Sequence, residues 1–231
     1  MPFALLKYGV FGQDRPQLKW QAELKKTYDV VVIGAGGHGL ATAYYLATRY
    51  DITNIAVLDK TWLAGGNTAR NTTIVRANYL TAEGVAFYKE SVELFRGLSQ
   101  ELDMNIMYSE RGHFTLAHTD AAMRTARWRA EVNKHLGVNS EVIDTNEVAR
   151  LCPTINVSED VRYPILGALY HPPGAIARHD AVAWGYAKGA MARGVEVHTD
   201  TEVTGIVCKG NRAIGVETSR GAQRATTSLA S

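Results

Sequence analysis

The order of apolar and polar positions divides the chain into short, typed elements. Residues 29–33 form a continuous β-branched run that ends on glycine, the pattern of a strand buried on both faces. Residues 40–50, rich in Ala and Leu and free of proline, predict a helix, and residues 54–58 predict a second strand that ends in Asp59. A long amphipathic helix is expected over 81–102, with Phe87, Val92, Leu94, Phe95 and Leu98 among its apolar positions. A short strand at 114–117 precedes a helix over 121–136 that carries Arg124, Arg127, Arg129 and Lys134. That charge run reads as a solvated face, with a subunit contact as the sharper alternative. A strand and a helix start follow from residue 142, and Cys152-Pro153 ends that helix. Residues 162–178, rich in Gly and Pro, read as extended or turning chain. A helix over 180–193 stops at Gly194, and strands follow at 195–198, 202–209 and 213–219, the last two joined at Gly210-Asn211.

Composition narrows the class without choosing a function. With 231 residues the chain can bury a substantial core, and 46% hydrophobic against 21% charged residues is a globular balance. A net charge of +2 gives no reason to expect nucleic acid or an anionic membrane as partner. No stretch approaches the ~18–20 consecutive apolar residues of a membrane span. The start of the chain lacks the basic region and cleavage site of a secretory signal, so a cytoplasmic protein is expected. Residues 1–26 read as a polar, irregular lead-in. Cys152 and Cys208 cannot make a disulfide framework or a metal knot on their own, and no metal site is expected.

The chemistry gathers after the first strand. Gly34-Ala-Gly36-Gly37-His38-Gly39 lies between a predicted strand and a predicted helix. Gly34 permits a tight turn, Gly36 lets a pyrophosphate approach bare backbone, and Gly39 lets helix and strand pack closely. The free N–H groups and positive end of the helix would hold the phosphates. Asp59, 20 residues past Gly39, can accept hydrogen bonds from ribose hydroxyls. Together these parts predict a dinucleotide site; a glycine-rich turn without ligand is the bland alternative. His38 within the loop reads as a packing residue and not as a catalyst. Residues 62–79 are dense in small and hydrogen-bonding side chains with two arginines, Arg70 and Arg76. Such a loop can follow an extended cofactor from its pyrophosphate toward a flavin ring, although the residues alone leave an ordinary polar loop open.

The segments HGLATAYYLA and WLAGGNTARNTTIVRANY, with Asp59 between them, resemble the D-amino-acid-oxidase superfamily of FAD-dependent amine oxidases. Within it the likeness is greatest to the beta subunits of heterotetrameric sarcosine oxidases, and RYPILGA and ARHDAVAW further along agree. The resemblance implies an α/β fold, with a Rossmann-type, glutathione-reductase-like FAD-binding domain and a partial α+β substrate domain. It implies noncovalent FAD contacted by Gly34, Gly36, Gly37, His38, Gly39, Asp59, Gly66, Asn67, Thr68, Arg70, Asn71, Thr72, Thr73 and Val203. It also implies an FMN covalently attached to His179, where a neutral imidazole nitrogen is a competent nucleophile; a solvated or helix-capping histidine is the bland alternative there. Arg76 stands where related amine oxidases carry an arginine for the substrate carboxylate; a flavin contact or an ion pair are its other readings. The implied reaction is oxidation of the C–N bond of sarcosine, with dioxygen reduced to hydrogen peroxide. The methyl group would leave as formaldehyde, or as methylenetetrahydrofolate when tetrahydrofolate is present. Partners would be alpha, gamma and delta subunits. A glycine or D-amino-acid oxidase or dehydrogenase without FMN, and a non-catalytic fragment that binds only nucleotide or a partner, are the alternatives.

The resemblance divides the chain into an FAD-binding part at 27–112 and 179–221, a partial substrate part at 113–178, and an atypical tail at 222–231. Family members run well beyond this length. The final stretch lacks the apolar strand expected there and reads as a truncation or an altered reading frame.

Overall fold

The computed structural model describes Trp20 and residues 22–230; positions 1–19 of the expected lead-in lie outside the described residues. β1 (Thr27–Ile33), α1 (Gly37–Arg49) and β2 (Ile55–Leu58) come first. A 3-10 turn at Asn67–Arg70 leads to β3 (Ile74–Val75), α2 (Ala82–Glu101), β4 (Ser109–Glu110) and β5 (His113–Ala117). Next come α3 (Asp120–His135), β6 (Glu141–Ile143), α4 (Thr145–Leu151), β7 (Gly167–His171) and β8 (Ala175–Ile176). The chain continues through α5 (His179–Ala192), β9 (Glu196–His198), β10 (Val203–Lys209), β11 (Arg212–Thr218) and β12 (Gly221–Ala230). Among the described residues no helix is long and apolar enough to cross a membrane.

The described residues fall into two compact units. One takes the chain up to Arg70 and again from Val182; the other is Asn71–Ala181. The sequence-based division into cofactor and substrate parts is at 112/113 and 178/179, whereas these compact units divide at 70/71 and 181/182. The reason is local: β3 and β4 both pair with β8, and α2 packs Val85 and Val92 against Ala77 and Val138. Residues 71–112 therefore find their partners within the middle of the chain.

The first unit is a six-stranded sheet in the order β10-β11-β12-β1-β2-β9. β12, β1, β2 and β9 run parallel, and β10 and β11 add an antiparallel wing. Val31, Ile55, Val57, Leu58 and Val197 are wholly buried, as continuous apolar runs in a covered parallel sheet require. Burying each such side chain favours folding by ~1.5–3 kcal/mol. α1 buries Leu40, Ala43 and Ala47, a stripe at helical spacing.

Two features of this unit depart from the sequence-based expectation. Residues 221–230, expected to lack a strand, form β12, which lies between β1 and β11 with Val30 opposite Thr227 and Val216 opposite Gln223. Neighbours on both edges satisfy the backbone of this segment, and that pairing overrides its weak apolar content. The second departure is a buried acid. Glu196 on β9 is 2% exposed and accepts from Tyr28 Oη at 2.7 Å and from Lys25 Nζ at 2.9 Å. Burial alone would raise its carboxyl; these hydrogen bonds outweigh burial and hold it below the usual carboxylate value.

The second unit contains an antiparallel sheet β5-β7-β6 and a smaller sheet β3-β8-β4. α3 lays Ala126 and Ala130 on Leu169, and α4 packs Val148 on Ile143 and Ala168. α2 starts at Thr81, whose hydroxyl accepts from Gly84 N–H at 3.1 Å. α2 buries Val85, Val92 and Leu98, but Phe87 is 65% exposed, so its apolar stripe is narrower than the composition implies.

Candidate functional site

In the first unit the glycine loop and the acid after β2 are one hydrogen-bonded assembly. Gly34 has φ +108°, a conformation only glycine adopts freely, and its N–H donates to Leu58 O at 2.7 Å. Ala35 N–H donates to Asp59 Oδ2 at 2.8 Å. Asp59 Oδ1 accepts from the N–H of Thr61 at 2.8 Å and from its hydroxyl at 2.9 Å. A carboxylate has about four acceptor positions. Three are taken, which leaves room for one further donor such as a ribose hydroxyl.

The start of α1 is open to an anion. Gly36 is its N-cap, no side chain of that residue caps the first turn, and no acidic residue stands there. The first N–H groups of a helix have no partner within it, and the dipole favours negative charge at that end. Gly37 N–H is met by Thr68 Oγ1 at 3.0 Å, so the segment after β2 folds back over the loop. A Cβ on Gly36 would lie 3.2 Å from the same Thr68 oxygen. Bare backbone at a helix mouth, beside an acid with an acceptor to spare, fits a dinucleotide such as FAD. His38, Gly66, Asn67 and Arg70 are exposed. Val203 is half-buried on the cluster of Tyr28, Val31 and Leu58.

In the second unit Asn71 and Thr72 are exposed, and Thr73, at φ +62°, donates its N–H to Asn71 Oδ1 at 2.6 Å. Arg76 donates from Nη1 to Asn78 Oδ1 at 2.8 Å, and its guanidinium lies 4.6 Å from the Tyr79 ring centre. Arg129 Nη2 donates to Asn78 O at 3.3 Å. The solvated face expected for α3 thus holds at Arg124 and Arg127, which are exposed, and fails at Arg129, which turns inward onto buried Asn78. Burial and nearby Arg76 lower the Arg129 guanidinium from its ordinary value.

The histidines divide sharply. His171 is 1% exposed, and both ring nitrogens are engaged. Nδ1 lies 2.6 Å from Asn139 O, which can only accept, so Nδ1 carries the proton; Nε2 then accepts from Ala77 N–H at 3.4 Å. Burial holds this imidazole below its usual value, and burial followed by Arg76 does the same to His113. His179, the first residue of α5, is half-buried with Nδ1 enclosed and unpartnered. Asp180 beside it accepts from Ala181 N–H at 2.9 Å and from Arg178 Nε at 2.9 Å.

Sequence reasoning missed Asn78, His113, His171 and Arg129 as a cluster about Arg76. A partial signal existed for Arg129, which lies three residues after buried Ala126 and four before buried Asn133. Spacing of that kind does not separate it from Arg127 on the other flank of the same face.

A family described as FAD dependent oxidoreductase matches residues 29–230. The sarcosine oxidase subunit beta of an Arthrobacter species is 49% identical over 209 residues, 90% of this chain and 52% of that protein. The subunit of the same name from Rhodobacter capsulatus is 45% identical over 224 residues, 93% of this chain and 54% of that protein. The chain thus spans about half the length of these relatives. Among solved structures, the L-proline dehydrogenase of P. horikoshii superposes with a TM-score of 0.81 at 25% identity, over 90% of this chain and 53% of that one.

Proposed function

This chain belongs to the FAD dependent oxidoreductase family, and from that premise we propose that it is part of a flavin-dependent sarcosine oxidase. The complete protein would oxidise the C–N bond of sarcosine to give glycine and formaldehyde, or methylenetetrahydrofolate when tetrahydrofolate is present, and would reduce dioxygen to hydrogen peroxide. Alpha, gamma and delta subunits would complete the assembly. The observation that carries the reading is the Gly34–Gly39 loop fastened to Asp59 through Ala35 N–H at 2.8 Å, in a chain 49% identical to a sarcosine oxidase subunit beta.

FAD, when bound, supplies the two-electron acceptor; the chain's residues bind and orient. Gly34 makes the turn, Gly36 presents bare backbone to the pyrophosphate beside Gly37 and Thr68, Gly39 packs against the strand, and Asp59 keeps one acceptor for the ribose. The FAD-binding part takes the first unit, with Gly66, Asn67, Thr68, Arg70 and Val203, and the family likeness also assigns Asn71, Thr72 and Thr73 to the cofactor. Arg76 fixes the substrate carboxylate with its planar fork. Its guanidinium is pre-set by Asn78 and Tyr79, so little freedom is lost on binding. The middle of the chain then serves the substrate. Histidine geometry favours His179 over His171 for FMN attachment: His171 has both nitrogens occupied, and the enclosed Nδ1 of His179 has no hydrogen-bond partner.

The test is expression of the full-length protein with its partners, an absorbance scan for flavin and a peroxide assay. Flavin absorbance and peroxide formed on addition of sarcosine are expected. Peroxide from glycine or D-alanine but not sarcosine would move the reading to another amine oxidase. A colourless, monodisperse protein without activity would remove it.

A further inference from the structure

Two guanidiniums meet at one buried asparagine in the second unit. Asn78 is 0% exposed. Its Oδ1 takes Arg76 Nη1 and its main-chain O takes Arg129 Nη2, at 2.8 Å and 3.3 Å. What remains is donor-rich. Asn78 Nδ2, Arg129 Nε and His113 Nδ1 are all enclosed with no hydrogen-bond partner. The hydrogen bonds described for Arg76 and Arg129 run to Asn78 and not to a carboxylate. Buried donors left unsatisfied cost about 1–3 kcal/mol each, and more when charged. A protein keeps such a cluster where something else completes it.

We propose that Asn78 and Arg129 join Arg76 in a single carboxylate-binding site, in which Asn78 Nδ2 is the uncharged donor and Arg129 the second cation. The ligand class follows from the donor set. The free groups of Asn78 and Arg129 are both N–H donors, so the ligand atoms that meet them are acceptors. Asn78 supplies both anchors that hold the two arginines, so they are positioned before any ligand arrives. A planar monoanion with two oxygens matches forked donors, and it neutralises one charge of the pair. This inference rests on reading Arg76 as the arginine of the substrate carboxylate, and it adds the residues that would share that load.

The experiment uses the flavin-loaded protein and acetate, a carboxylate without an amine, titrated by the change in flavin absorbance. Arg129→Gln should raise the acetate Kd about tenfold to a hundredfold, the usual loss for a hydrogen bond to a charged group. Arg129→Lys, which keeps the charge, should lie between it and the parent. The preference for sarcosine over its uncharged amide, as a ratio of kcat/KM, should fall by a similar factor in Arg129→Gln. A purely structural role would lower both substrates together and leave that ratio unmoved, which would overturn the inference. Unchanged acetate binding in both Arg129 variants, with weakened binding in Arg76→Gln, would overturn it and leave the reading of Arg76 intact. Unchanged binding in Arg76→Gln would overturn that reading and with it the three-residue site.

Discussion

Asp59 has two duties that one substitution removes together. Its carboxylate tethers Ala35 in the glycine loop and Thr61 beyond β2, and it keeps an acceptor free. Asp59→Ala should weaken FAD retention by ~1.5–3 kcal/mol, the size of a lost charge-assisted hydrogen bond. Flavin that stays with the variant through gel filtration as well as it does with the parent would refute the assignment. His171 and His179 make an equally sharp pair. A denatured gel of the complete protein should show flavin fluorescence in the parent and in His171→Gln, and none in His179→Ala. The reverse pattern would move the link to His171, and a dark parent band would dismiss covalent FMN. The tie between Asp59 and the glycine loop was legible in the sequence because Asp59 sits at a fixed step from that motif. Arg129 was not, because nothing in its spacing says which way a long side chain will turn.

At the scale of elements, the start of β7 tolerates no larger residue. Gly167 has φ +152°, and a Cβ there would stand 2.6 Å from Ile143 O and 2.9 Å from Met123 Cε. Methionine can move aside, but the carbonyl of β6 cannot. Gly167→Ala should therefore destabilise the protein by ~1–3 kcal/mol, the usual cost of a strained backbone, before any clash is counted. An unchanged urea midpoint would contradict this. The helices and the first two strands were legible because hydrophobic period and caps agree there, as at Thr81 before α2. β12 was not legible. Its residues carry little strand signal, and its conformation is set by partners far away in sequence.

For the whole molecule, two buried histidines and one half-buried histidine give stability a direction in pH. Burial, the largest cause in each case, lowers the imidazoles of His113, His171 and His198 from their usual value. The folded state then binds protons less readily than the unfolded chain, where histidine titrates near ~6.5. Any benefit is complete above that value and is lost as pH falls through it toward the lower folded value. The urea midpoint should therefore drop between pH 7.5 and pH 5.5, above the range where carboxylates titrate. A flat midpoint over that interval would mean that these rings are not held neutral.

The place of β12 also governs when the first unit can form during synthesis. Val30 pairs with Thr227, 197 positions later (227 − 30). At a translation rate of ~5–20 residues per second, on the order of ten to forty seconds separate the two strands as they leave the ribosome. Throughout that interval one edge of β1 has no native partner, and open apolar edges recruit other chains. Nascent chains stalled before Gly221 should exchange the β1 amides that face β12 quickly and bind chaperones, and release through Ala230 should protect those amides. Slow exchange in the stalled chain would mean that another segment shelters β1 in the meantime. A codon change that lengthens this wait would lower soluble yield with no change in any amino acid.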